Sequence, residues 1–113
     1  MIYEIDAPVI IKNYSTQLNG NLKSILVYYI SNRHMDNTYE VIGILNTRAI
    51  IGSISVKDIR YATKEEELSS LEATLEIFNR HRSFYKDCGF NITYMDNRIV
   101  ELERIIFNFI YSE

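Results

Sequence analysis

The densest grouping of side chains capable of chemistry is Arg80, His81, Arg82, Tyr85 and Lys86, all within one short stretch. Two guanidinium groups beside a tyrosine hold a phosphate or carboxylate well, because the planar fork donates in pairs to such anions. The stretch is therefore a candidate anion-binding or partner-binding patch. The same cations also complement the partial negative charge at a helix C-terminus, which gives them a purely structural reading.

Other reactive residues are more scattered. His81 and Cys88 fall about two turns apart on one side of a helix, and His34 with Asp36 would complete a metal site only if the fold brought them close. Neither a CxxC nor an HxxxH spacing is present, so no metal is expected. Cys88, next to Gly89, reads as a small helix-end residue, since no base is positioned to activate its thiol. No phosphate loop, GxSxG, HExxH or dinucleotide fingerprint occurs, so no catalytic set and no cofactor is expected.

The element that positions the cluster is a long helix over residues 63–90. Thr63 and Glu66 form a capping-box pattern, and Glu65, Glu66 and Glu67 place acids in the first turn, where the macrodipole favours them. Leu68, Leu71, Leu75 and Phe78 recur at spacings of three and four, and Arg82 and Tyr85 continue the rhythm. Gly89 is placed to close the helix in a left-handed conformation, with Phe90 folding back onto Tyr85 as the apolar contact of a Schellman motif.

Around this spine, residues 2–14 read as a strand interrupted or displaced to a sheet edge by Pro8. Leu22, Ile25, Leu26, Tyr29 and Ile30 share a helical face, which predicts a first helix from about 21 to 34. Two β-branched runs, 38–45 and 49–61, flank Asn46-Thr47-Arg48 and predict an antiparallel hairpin, with Gly43 and Gly52 inside its strands. Phe90, Ile92 and Tyr94 alternate and predict a short strand over 90–95. A last helix follows, capped by Asp96 or Asn97, with Ile99, Leu102, Ile106 and Phe109 on its apolar face. The expected order is β-α-β-β-α-β-α in a single α+β domain covering 1–113, an antiparallel sheet with helices on one face in a ferredoxin-like, split βαβ arrangement.

The run Phe84-Tyr85-Lys86-Asp87-Cys88-Gly89-Phe90 resembles the FYxxxGF segment of GCN5-related N-acetyltransferases, and the hairpin sequence VIGILNTRAIIGSISV is similar to strands of that family. The resemblance covers less than half of the chain. It implies Tyr85 as a general acid for a leaving thiolate. Where that family binds its cofactor's pyrophosphate at a helix N-terminus, this chain reads Arg60-Tyr61-Ala62-Thr63 followed by three glutamates, which repel phosphate.

Composition bounds the remaining choices. The chain has 113 residues, net charge −3 and a single cysteine, so no internal disulfide forms and a reducing, cytoplasmic setting is expected. The N-terminus lacks a signal-peptide pattern, and no apolar run spans a bilayer. No global basic footprint points to nucleic acid, although a local patch through Arg80, Arg82 and Lys86 would bind a nucleotide or nucleic acid. Abundant isoleucine, asparagine and tyrosine match AT-rich genomes, including those of phages, viruses and low-GC bacteria, so a viral, phage or bacterial accessory factor is expected. Nine tyrosines and two apolar helical stripes predict surface for a partner. The reading is a non-enzymatic protein-binding factor, accessory or inhibitory, forming a homodimer. The alternatives are an acetyltransferase-like protein and a nucleotide or nucleic-acid binder.

Overall fold

The computed structural model describes residues 2–12, 16–18, 22–24, 26–46 and 52–112. The protein is α+β, with a five-stranded antiparallel sheet, a two-stranded sheet and two helices among the described residues. It divides into two compact units, Met1–Glu67 and Leu68–Glu113. No helix among the described residues is long and apolar enough to cross a membrane.

The first unit is the sheet. Its strands are β1 (Pro8–Ile11), β4 (Tyr28–Arg33), β5 (Thr38–Ile42), β6 (Ile54–Ser55) and β7 (Ile59–Tyr61), in the spatial order β6-β5-β4-β1-β7. The separate pair is β2 (Thr16–Leu18) with β3 (Leu22–Ser24). Alternation in β5 buries Tyr39 and Val41, and these join Val9, Ile11, Tyr28, Ile30 and Ile59 in one core cluster. Tyr3 closes the cluster. Its backbone N–H donates to the Tyr39 hydroxyl at 3.0 Å, and its own hydroxyl donates to the Ile59 carbonyl at 3.0 Å. Burial pushes the Tyr3 phenol above its ordinary pKa, which keeps it a donor.

Three expectations are corrected here. The helix expected over 21–34 is strand: β3 and β4 occupy its described part. Leu26, Val27, Tyr28 and Ile30 are all buried and Tyr29 half-buried, so the run is apolar on both faces. A continuous apolar run satisfies helical and strand periodicities together, and its aromatic and β-branched residues favour the strand. Pro8 does not displace its strand to an edge, since β1 lies between β4 and β7, although the run is interrupted there and is strand only from Pro8 on. The proline is the first residue of β1, where a missing donor is tolerated, and its carbonyl accepts from Ala62 at 3.0 Å. The segment expected as one strand over 49–61 is split in its described part. Ile54–Ser55 pairs with β5, a single turn at Val56–Asp58 follows, and Ile59–Tyr61 pairs with β1 at the far edge. Residues 47–51, with the loop centre and Ala49, lie outside the described residues.

Helix α1 spans Lys64–Asp87 and begins as its sequence predicts. The Glu66 N–H donates to the Thr63 hydroxyl at 3.1 Å, and the Thr63 N–H donates to the Glu66 carboxylate at 2.9 Å. This reciprocal capping box satisfies two donors that a helix start otherwise leaves orphaned. The same carboxylate accepts both terminal nitrogens of Arg60, at 2.9 and 2.7 Å, which joins strand β7 to the helix start. The Tyr29 hydroxyl donates to Glu67 at 2.8 Å, a second link from the sheet.

Helix α2 spans Thr93–Tyr111 and buries Met95, Ile99 and Leu102, while Ile106 and Phe109 are half-buried. The strand expected over 90–95 is absent, and the helix starts at Thr93. The Asn91 side-chain oxygen accepts from the Thr93 N–H at 2.8 Å and favours helix entry there, ahead of the expected cap at Asp96 or Asn97. Asp96 and Asn97 thus sit inside the first turns rather than at the cap. With all the described strands of the five-stranded sheet preceding both helices, the described order differs from β-α-β-β-α-β-α, and no described helix connects two strands as a split βαβ unit requires.

The capping box gives a direct test. Thr63→Ala should lower stability by about 1 kcal/mol in denaturant unfolding. Arg60 and the cap hold the Glu66 carboxyl at about 2, below its ordinary 4.5. A depressed carboxylate stabilises the fold above its unfolded pKa and loses that contribution as pH falls through the folded one. The stability gap between the wild type and Glu66→Gln should therefore be constant above pH 4.5 and close as pH approaches 2.

Candidate functional site

The five candidate residues Arg80, His81, Arg82, Tyr85 and Lys86 lie on the last two turns of α1, in the second unit. Their geometry starts from the helix end. Gly89 adopts φ 80°, the Phe90 N–H donates to the Tyr85 carbonyl at 2.9 Å, and the Gly89 N–H donates to the Lys86 carbonyl at 3.1 Å. These are the two hydrogen bonds of a Schellman motif, and the Phe90 ring packs edge-on to Tyr85 with centroids 6.1 Å apart. The predicted closing contact is present.

The guanidinium groups are committed. Arg80 pairs with Glu76 one turn back at 2.6 Å. Arg82 reaches across the turn and pairs with Asp96 in the first turn of α2. Each pair is at least a third exposed, so each is worth at most a fraction of a kilocalorie to about 1 kcal/mol. Their larger effect is on surface charge, since two of the cations expected to hold an anion already have a carboxylate. Lys86 is exposed and makes no ion pair among the described residues.

The helix end also exposes aromatic rings. Phe84 and Phe90 are each 62% exposed and Tyr85 is 37% exposed. Their rings form a chain: His81 to Tyr85 at 6.2 Å, Phe84 to Tyr85 at 6.0 Å, and Tyr85 to Phe90 at 6.1 Å. The cause is helical phase. Leu71 and Phe78 are buried, and Tyr85 continues their seven-residue spacing, whereas Phe84 lies roughly 100° around from Tyr85. A few residues further on, Tyr94 is also exposed, with the Arg98 guanidinium carbon 5.6 Å from its ring centroid.

Sequence reasoning placed the five residues together and missed Phe84, Phe90 and Asp96 as parts of the site. Phe84 stands next to Tyr85 in the run Phe84–Phe90. Asp96 was not legible, because its pairing with Arg82 depends on a turn that no local pattern specifies.

His34 lies in the other unit, where its Nε2 meets Glu40 at 2.7 Å, and Asp36 accepts from the Thr38 hydroxyl at 2.6 Å. Among the described residues no group of three or more His, Cys, Asp or Glu side chains could hold a metal ion. Cys88 is exposed at the helix end. The N-terminus of α1, where the acetyltransferase resemblance would put a pyrophosphate, has its Thr63 and Glu66 donors closed by the capping box and Glu65, Glu66 and Glu67 around them. The chain matches no known protein family, no curated protein and no solved structure.

The helix end carries its own test. A Cβ at position 89 would meet open space, so Gly89→Ala tests only the left-handed backbone. It should cost about 1 kcal/mol in thermal or denaturant unfolding, while Gly89→Asn should cost less.

Proposed function

We propose that this chain is a non-enzymatic protein that acts by binding another protein, as an accessory or inhibitory factor, and that it associates with itself as a symmetric dimer. The observation that carries this reading is the exposed ring chain of His81, Phe84, Tyr85 and Phe90, beside guanidinium groups that already have carboxylate partners. Aromatic rings give large contact area at low entropic cost, and they are enriched at the cores of protein interfaces. A surface meant for phosphate or nucleic acid would instead keep its cations available, and here Arg80 and Arg82 are spent internally. Arg80, His81, Arg82, Tyr85 and Lys86 thus enter the proposal as the frame of an aromatic contact surface. A two-fold dimer suits it, because a nearly neutral patch meets itself without like-charge repulsion.

Sedimentation equilibrium from low to high micromolar concentration tests the self-association. The wild type should rise from monomer toward dimer mass, and Phe84→Ser with Phe90→Ser should stay monomeric with unchanged circular dichroism. A wild type that stays monomeric, together with the same cross-linked partners for both proteins in the native host, would remove the ring surface from the proposal.

A further inference from the structure

The first unit holds a separate opening beside the last residues of β4, on the side that faces β1. In the ladder between β1 and β4, Ile30 uses both of its backbone groups, donating to the Ala7 carbonyl at 3.1 Å and accepting from the Asp6 N–H at 2.8 Å. There the pairing stops. The chain turns between Glu4 and Ala7, closed by an Ala7 N–H to Glu4 carbonyl bond of 3.1 Å with Asp6 at φ 69°. Residues 2–5 consequently do not pair with the rest of β4.

On the β5 side, the register shifts between Ile30 and Asn32, and the following partners are Asn32 with Glu40 and Arg33 with Tyr39. The His34 N–H bonds to the Thr38 carbonyl at 2.9 Å, so the alternation of an antiparallel ladder turns the Arg33 N–H and carbonyl away from β5. Among the described residues, the Arg33 N–H is met there only by the Asn32 side-chain oxygen, at 2.9 Å.

Two adjoining depressions line this edge. One, of about 310 Å³, is bounded by Ile2, Arg33, His34, Met35, Asn37 and Tyr39. The other, of about 420 Å³, lies between residues 2–5 and Asn32 with Arg33. Both share Ile2 and Arg33. Their walls mix polar groups with exposed apolar ones: Ile2 and Ile5 are more than half exposed and Met35 is fully exposed.

The charges are asymmetric. Glu40 is held by His34 at 2.7 Å and by the Asn32 amide at 3.2 Å. The Arg33 guanidinium has no ion pair or side-chain hydrogen bond among the described residues. Glu4 lines the larger depression at the other end and disfavours an acid there.

We propose that this opening receives an extended peptide segment of another protein, paired to the β4 edge at residues 31–33, with apolar side chains at alternate positions and one carboxylate on Arg33. An extended segment supplies the backbone groups that a free strand edge lacks, and its alternate side chains all fall on one side. The peptide replaces the Asn32 oxygen on the Arg33 N–H and packs its apolar side chains on Ile2, Ile5 and Met35. This site is independent of the ring chain on α1, and its failure would leave that reading intact.

The probe is a blocked heptapeptide alternating valine and threonine, with one central aspartate, titrated into the isotope-labelled full chain and followed by amide shifts. Saturable shifts at Ile5, Ser31 and Arg33 are expected, with affinity reduced about tenfold when asparagine replaces the aspartate. Arg33→Ala should bind both peptides equally, because the carboxylate then has no partner. The same peptide with N-methylated backbone amides should not bind. Absence of saturable shifts, or equal binding of the N-methylated peptide, would overturn the proposal. Shifts at the same amides that depend on protein concentration without peptide would overturn it in favour of a second copy pairing through this edge.

Discussion

The Glu66 carboxylate accepts from the Thr63 N–H and from both terminal nitrogens of Arg60, so one side chain marks the start of α1 and ties that start to β7. The junction also combines two interactions that are individually small. An exposed ion pair and a capping bond are each modest, but sharing one acceptor lets a single ordered carboxylate serve both, so its side-chain entropy is lost once.

The distribution of charge along α1 shows why a dense cationic sequence does not by itself define an anion site. Bases near a helix C-terminus are stabilised by the macrodipole, and bases one turn beyond an acid find it at i,i+4. Arg80 does the latter with Glu76. Arg82 instead links α1 to α2 through Asp96, so its partner comes from the fold of the second unit rather than from its own helix. Once both are paired, the helix end presents the exposed rings of Phe84, Tyr85 and Phe90 together with Lys86.

The legible parts of this fold were those set by local rules. Thr63, Glu66, Gly89 and Phe90 each act within a few residues of sequence, and the structure places all four as their spacing implies. The segment 26–30 was misread because burial on both sides erases the alternation that distinguishes a strand from a helix. Residues 90–95 show the opposite error. Their alternation is real, but Met95, Ile99 and Leu102 continue a helical face, and the longer pattern prevails over the shorter one. At the site, the Tyr85–Phe90 contact followed from the local helix-end pattern, whereas the Arg82–Asp96 pair depends on a turn that no local pattern specifies.

The edge of β4 is governed by the same competition between local and non-local demands. A strand in the middle of a sheet usually has both sides paired, yet the positive φ of Asp6 takes the N-terminal segment away after Ile30 and leaves the last residues of β4 paired on one side only. The register shift beside Ile30 and the Asn32 side chain over the Arg33 N–H are devices that keep such edges from pairing at random. A protected edge is not a closed one. A side-chain acceptor occupies one donor, while Arg33 and the apolar side chains of Ile2, Ile5 and Met35 stay uncovered. The protection discriminates against indiscriminate strand addition, and the uncovered groups define the narrower set of segments that can displace it.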